Sequence, residues 1–441
     1  MDFHDGKFSQ YRTPHTAHRA PHCGWPPCRV VLPACGLDYA LSMVSPSLLI
    51  AGAGIGGLAA ALACRRAGGR VQVLEQSAVL SEVGAGLQLG PNAVHVLDAW
   101  GLGAALRRVA CAPQRLQVLA AEDGRQLGSL RLGRHFSQRY GSDYLTLHRA
   151  DLQQLLLDAA LASGAELTLE TTLKSIAETA DGISATAING TQFTADALLG
   201  CDGLWSHVRQ HLLGDGRPLA TGHLAYRTLI AAADIPPGLA GKLPLDQVSV
   251  WLGPQRHAVA YPVRGGALLN LVVIVHGSAN DDIETWDHAV HAQNLLSRLS
   301  GGHHVLQDLI ALAPQWKRWV LHDRAPVPDP AQMARGRIAL LGDAAHPMRP
   351  YLAQGAAMAL EDARALGRVL EQMPSQVATA ALPRALRRYA EQRWQRNARV
   401  QAQSRRNGWI FHADGLLRHG RNLAMASLGE RLLDNRWLYA G

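Results

Sequence analysis

Apolar positions fall into three unlike patterns along this chain. Near the start, Leu48-Leu49-Ile50-Ala51 and Val71-Gln72-Val73-Leu74 are short apolar runs that predict buried strands. Between them, Ile55 to Ala67 is apolar on most faces and stops at Gly68-Gly69, which predicts a helix ended by glycine. Strand, helix and strand make a βαβ opening. Asp151 to Ser163 predicts a second helix, with Leu152, Leu155, Leu156 and Ala159 on one face. Ile183 to Ile188 and Gln192 to Leu199 read as paired strands. From about residue 218 to 322 the pattern becomes that of a sheet, in Val248 to Leu252, His257 to Tyr261 and Leu268 to His276. Val118 to Leu132, turning at Asp123-Gly124, adds a hairpin to it. A last apolar run, Ile338-Ala339-Leu340-Leu341, leads towards a helix through Met358, Leu360 and Leu366. Beyond about 375 the chain is helical and arginine-rich, from Ala385 through Arg406. No repeat of roughly 20–50 residues is visible.

Composition narrows the class. The 441 residues suffice for two or three domains, and 48% hydrophobic residues support a substantial core. The formal charge is +8, and only Lys7, Lys174, Lys242 and Lys317 are lysines. No nucleic-acid motif accompanies this basic balance, so it points to small anionic ligands rather than to nucleic acid. The six cysteines (Cys23, Cys28, Cys35, Cys64, Cys111, Cys201) form no CxxC pair and no zinc spacing with histidine, so no metal is expected. Reduced thiols fit the cytoplasm. No apolar run reaches the roughly 18–20 residues that span a membrane. Residues 1–45, rich in His, Pro, Cys and Arg, read as a disordered extension and a poor signal peptide, with Met43 as an alternative start.

Three glycine-containing motifs each follow an apolar run. In Gly52-Ala53-Gly54-Ile55-Gly56-Gly57, Gly52 allows a tight turn. Gly54 lets backbone approach a pyrophosphate, and Gly57 lets helix and strand pack closely. The helix N-terminus offers free N–H groups to phosphates. Glu75 ends the second strand about 20 residues on, where an acid accepts a ribose hydroxyl. Asp202-Gly203, after Leu198-Leu199-Gly200, is by itself only a common turn. Gly342-Asp343 closes the last apolar run, and a carboxylate there can accept a ribitol or ribose hydroxyl. The helix after it can stabilise negative charge on a reduced flavin ring. The three in this order indicate FAD.

This set resembles the single-component FAD aromatic hydroxylases, the relatives of p-hydroxybenzoate hydroxylase, over about residues 46–441. Further likeness lies in Gln88 to Ala93, His148 to Leu152, Trp251 to Pro254, Tyr261 to Gly266 and Leu341 to Asp362. These resemble the branch of salicylate hydroxylase, 3-hydroxybenzoate 6-hydroxylase and 6-hydroxynicotinate 3-monooxygenase. The resemblance implies an α/β fold: a Rossmann-like FAD-binding domain of the glutathione-reductase type, an inserted β-sheet substrate domain and C-terminal helices. The FAD-binding domain would take residues 46–217 and 323–375, with a substrate-side hairpin at 112–147. The substrate domain would take 218–322, and the helical region 376–441.

The resemblance also implies roles. Arg149 and Asp343 would bind FAD. Asp202 would sit near the pyrophosphate and help position the nicotinamide donor. Gln354-Gly355 would meet the isoalloxazine edge, and Pro350 would lie beside flavin and substrate. The activity implied is hydroxylation of a small phenolic acid by O2 and NADH or NADPH, through a flavin C4a-hydroperoxide. Removing the phenolic proton needs a base that works near neutrality. His223 is the first candidate, with Tyr226 as hydrogen-bond partner of the substrate oxygen and His257 and Tyr261 in reserve. His346 reads as structural. Arg227, Arg264 or Arg349 would meet the substrate carboxylate. Pro350 stands where the 3-hydroxybenzoate 6-hydroxylases tend to carry Gln, which favours a salicylate-like or 6-hydroxynicotinate-like substrate. The arginine-rich helix reads as a solvated face or a homodimer contact rather than a nucleic-acid site. Trp409, Phe411, His412 and Trp437-Leu438-Tyr439 resemble a C-terminal end that packs back on the protein or a partner subunit.

Overall fold

A computed structural model describes residues 45–80, 86–277, 288–299, 301–313, 315–374 and 378–440. The expected extension at 1–45 lies almost wholly outside them. Two sheets organise the described chain. The first has six strands in the order Ala334–Arg335, Ile338–Leu340, Ala197–Gly200, Ser47–Ala51, Arg70–Leu74, Glu166–Thr168. Its four central strands run parallel, and Leu48, Leu49, Ile50, Leu198, Leu199, Ala339 and Leu340 are all buried. Burial on both faces explains their continuous apolar runs. The helices Ile55–Arg66, Arg149–Ala162 and Gly355–Glu371 belong to the same core.

The second sheet has eight strands, in the order His288–His291, Gln315–Asp323, Leu219–Ala231, Leu268–His276, Arg256–Val263, Gln247–Gly253, Arg115–Ala120, Gln126–Arg131. The hairpin at 115–131 joins it through a parallel pairing with Gln247–Gly253. One face is covered by the helices Ala292–Arg298 and His304–Leu312, whose Leu295, Leu309 and Ile310 pack with Leu224, Tyr226 and Trp251. The other face carries Val248, Val250, Leu252, Tyr261 and Val263 into the core of the first sheet.

Two sequence readings change in detail. Gln192 to Leu199 is two strands, because Asp196 leaves the ladder: its carboxylate accepts from Ser47 N and Oγ, both at 2.7 Å. The arginine-rich segment belongs to a helix, Ala378–Phe411, that is not a uniformly solvated face. Its Arg393 is buried and donates to Asp362 and Glu361, both at 2.8 Å. Arg396 donates to Glu361 and to the carbonyls of Trp437 and Leu438, folding the C-terminal end back onto the protein. Leu438 and Tyr439 are buried there, whereas Trp409 is exposed. Among the described residues no helix is long and apolar enough to cross a membrane.

Candidate active site

Strand register brings the three motifs together. Ala51 pairs with Gly200, and Gly200 with Leu340, so the residues that follow each strand meet at one edge of the sheet. Gly52 has φ 97°, and a Cβ on it would lie 2.5 Å from the Cys201 carbonyl oxygen. A Cβ on Gly57 would lie 1.8 Å from the Gly52 carbonyl oxygen. Both glycines are therefore dictated by the fold itself. Gly54 differs: a Cβ there meets nothing within 4 Å, and no side chain caps the helix it precedes. Open space in front of unsatisfied helix N–H groups is what a pyrophosphate requires.

Glu75 is held at this turn. One carboxylate oxygen accepts from Ala53 N at 2.8 Å and the other from Ser77 N at 2.9 Å. Gln153 donates to the Ala53 carbonyl at 2.9 Å, which ties the Arg149–Ala162 helix to the turn. Arg149 lies one helical turn before Gln153 and so shares its face.

Asp202 is placed differently from expectation. Its carboxylate accepts from Ser206 Oγ at 2.5 Å, His207 N at 2.7 Å and Val208 N at 3.0 Å. Both oxygens thus serve the start of the short helix His207–Leu213. Burial pushes the carboxyl upward against these hydrogen bonds. Gly203, at φ 76° with open space around it, is the part of the motif left clear.

The Gly342-Asp343 turn meets the N-terminus of the helix Gly355–Glu371. Asp343 is exposed and has no hydrogen-bond or ion-pair partner among the described residues. A Cβ on Gly355 would lie 3.8 Å from its Oδ1. Gln354 turns its side chain inward, accepting from Asn92 Nδ2 at 3.0 Å, so it can offer a ligand only its backbone. Ala353 stands at φ 52°, a left-handed conformation that costs a non-glycine residue on the order of 1–3 kcal/mol. No side chain caps the helix Gly355–Glu371. Behind the turn, buried His346 contacts Asp362 at 2.5 Å, and Asp362 also accepts from Arg393, Asn397 and Gly342 N. Burial pushes the Asp362 carboxyl up, but His346 and Arg393 outweigh it and hold it far below the usual range. His346 is structural, as the sequence suggests.

On the second sheet, alternation along Leu219–Ala231 separates two expected partners. His223 shares a face with Ala225 and Arg227, whereas Tyr226 points with Leu224 into the helix-covered core. Tyr226 is fully buried there, and its hydroxyl is 3.5 Å from Asn294. An offset of three cannot put both side chains on one face of a strand, so Tyr226 does not act beside His223. The ring of Tyr351, in the Pro350–Leu352 turn, lies 6.1 Å from that of His223 and packs with Ala225 and Ile274. Pro350 itself is exposed.

Of the candidate anchors, Arg264 is half-exposed and paired with Asp151 at 3.1 Å. Arg349 pairs with Asp323 at 2.8 Å and is largely buried. Arg227 is on the His223 face, stacked 4.7 Å over the Trp319 ring. Sequence reading missed His276 and His412. His276 is the register partner of His223, and the His276 and His412 rings lie 4.4 and 5.1 Å from that of His223. His257, the reserve candidate, meets His412 at 2.7 Å. Burial lowers His223 to about 4 and His257 to about 3, so both are neutral near pH 7.

The comparisons agree with this geometry. A family model described as an FAD binding domain matches residues 46–404. A 3-hydroxybenzoate 6-hydroxylase of Klebsiella oxytoca is 39% identical over 89% of this chain and 96% of that relative. A 6-hydroxynicotinate 3-monooxygenase of Bordetella bronchiseptica is 36% identical over 83% and 92%. Klebsiella pneumoniae HpxO, solved with FAD and uric acid, superposes with a TM-score of 0.77 at 26% identity, over 90% of this chain and 96% of that one. A salicylate hydroxylase substrate complex does so at 0.76 and 25%, over the same shares. The chain belongs to the FAD-binding-domain family of FAD-dependent aromatic-ring monooxygenases, in the branch that includes 3-hydroxybenzoate 6-hydroxylase and 6-hydroxynicotinate 3-monooxygenase.

Proposed function

We propose that the protein uses NADH or NADPH and O2 to hydroxylate a hydroxybenzoate-class phenolic acid in the cytoplasm. Within that class the 39% likeness to a 3-hydroxybenzoate 6-hydroxylase moves the first choice from salicylate to 3-hydroxybenzoate. The observation that carries the reading is the packing of the Pro350–Tyr351 turn against the sheet face that bears His223 and Arg227. Residues that fit a flavin thereby border residues that fit a phenolic acid.

The cofactor site fits FAD. Gly54 leaves room at the first helix N-terminus, and Asp343 is an unpartnered carboxylate at the strand end. Arg149, Glu75 and the backbone of Gly203, Gly342, Gln354 and Gly355 complete the set, with Gly52, Gly56 and Gly57 shaping the turn. Bound FAD supplies electron transfer and oxygen activation. The chain supplies the rest. The uncapped helix Gly355–Glu371 stabilises negative charge at its N-terminus. His223 and Arg227 stand four residues apart on one face, about 13 Å along the strand. That interval admits one aromatic ring once the long arginine side chain reaches back. Arg227 would hold the carboxylate; burial makes His223 a weaker base than a free imidazole, so it would accept the phenolic proton with the developing phenolate beside it favouring the imidazolium. Pro350 and Tyr351 would wall the ring and exclude water.

The test is NADH or NADPH oxidation coupled to product formation, across 3-hydroxybenzoate, salicylate and 6-hydroxynicotinate. Stimulation by 3-hydroxybenzoate with stoichiometric product supports the reading. If no phenolic acid stimulates a yellow preparation, the substrate class is wrong.

A further inference from the structure

Four histidines from four separate segments converge beside the Pro350–Tyr351 turn. His223 lies in the strand Leu219–Ala231 and His276 at the end of Leu268–His276. His257 lies in Arg256–Val263, and His412 follows the helix Ala378–Phe411. One ring nitrogen each from His223, His276 and His412 lies within 4.8 Å of the others. We propose that His223, His276 and His412 form a binding site for a borderline divalent transition cation, Zn2+ above all, that regulates the neighbouring active site.

Several observations support a ligand set over a packing accident. His412 is 5% exposed, yet its Nδ1 has no hydrogen-bond partner. Its other nitrogen, Nε2, meets His257 Nδ1 at 2.7 Å. His223 is arranged alike: Nδ1 meets Thr221 Oγ1 at 3.1 Å, leaving Nε2 for another partner. Metal-binding histidines use one nitrogen for the ion and fix the ring through the other. Here His257 and Thr221 take that second role. All four rings are held towards the neutral form, the state that ligates.

Charge around the cluster is mixed. Arg349 and Arg405 share the one Asp323 carboxylate, at 2.8 and 3.0 Å, which offsets only part of their charge, and Arg421 donates to the Ile410 and Phe411 carbonyls. Asp414 lies close enough to His276 to favour positive charge on it. Zn–N bonds of about 2.0–2.1 Å place tetrahedral ligands about 3.4 Å apart. Modest ring rotations close the remaining gap, most easily at His276, which is exposed. Three imidazoles leave a fourth position for water. Imidazole ligation selects Zn2+, Cu2+ or Ni2+ over Mg2+ or Ca2+. An ion here would occupy the His223 nitrogen and pin the two strands to the end of the long helix. Hydroxylation would then be inhibited reversibly. This consequence rests on the reading of His223 as the base; the site itself does not.

The experiment titrates the FAD-loaded full chain with ZnCl2 by calorimetry, and with Cu2+ under electron paramagnetic resonance. Wild type should show a site with nitrogen hyperfine structure from three imidazoles. His276→Gln and His412→Asn should each remove it, and His257→Ala should weaken it by about 10–100-fold, as second-sphere losses do. His211→Ala with His304→Ala controls for exposed histidines and should change nothing. His276→Gln is at the surface and should keep its flavin, its melting temperature and its basal turnover while losing zinc inhibition. A wild-type titration and copper signal in His276→Gln overturn the site. Loss of binding in His276→Gln without any zinc inhibition in wild type keeps the site but refutes its effect on catalysis, and with it the role of His223.

Discussion

Gly54 and Gly57 are three residues apart in one motif, but the structure gives alanine at each a different outcome. At Gly57 a Cβ would stand 1.8 Å from the Gly52 carbonyl oxygen and 3.0 Å from its carbon. Backbone cannot yield as a side-chain tip can. Gly52 is itself fixed between this helix and Cys201. Gly57→Ala should therefore cost about 1–3 kcal/mol of folding stability, the range for overpacking a filled site. At Gly54 φ is −70°, which alanine adopts freely, and the added methyl meets no atom. Gly54→Ala should cost less than about 1 kcal/mol, the loss expected at a helix N-cap. The same methyl stands where the pyrophosphate would approach. Losing one charge-assisted hydrogen bond costs about 1.5–3 kcal/mol, or roughly 10–150-fold in affinity. The assay pairs thermal unfolding of the apoprotein with flavin fluorescence titration. Gly54→Ala should separate the two readouts, whereas Gly57→Ala should lower both. Wild-type FAD affinity in Gly54→Ala would refute the placement of the phosphates, and an unchanged melting temperature in Gly57→Ala would refute the close approach.

Asp362→Asn leaves the buried Arg393 guanidinium with Glu361 as its remaining carboxylate and should destabilise the fold by about 1.5–3 kcal/mol in denaturant titrations. Asp362 has a depressed folded pKa, so its contribution is complete above the ordinary carboxyl value of 3.8 and is lost as pH falls below it. Wild type should therefore lose stability faster than Asp362→Asn in acid, and parallel pH curves would show that the network carries no such charge. Tyr226→Phe removes a hydroxyl only 3.5 Å from Asn294 on the face away from His223, and should keep kcat and KM within about twofold. A large rise in KM would return Tyr226 to the substrate. Asp343→Ala removes an exposed, unpartnered carboxylate, so apoprotein stability should hold while flavin is lost on dialysis. Full flavin retention would exclude its ribitol role.

Much of the cofactor side is legible in the residues. Glycine is demanded at 52 by a φ of 97° and at 57 by the nearby Gly52 carbonyl, and continuous apolar runs mark strands that a parallel sheet buries on both faces. Such constraints act over a few residues, so a linear pattern records them. The role of Asp202 is also local, but a carboxylate before a serine and a helix start can cap as well as bind, and only coordinates separate the two. On the second sheet the decisive relations are long-range. Strand parity, fixed by which face the helices cover, put Tyr226 in the core and left Arg227 on the face of His223. Register set His276 against His223, across 53 positions of sequence. The return of the chain after Phe411 brought His412 to both. No spacing rule reaches that far, because a sheet and a helix end must pack before three imidazoles can share one space. The sequence by itself determined that the chain binds FAD and belongs among ring hydroxylases. The tertiary structure alone decided which of the candidate side chains share one face of the second sheet.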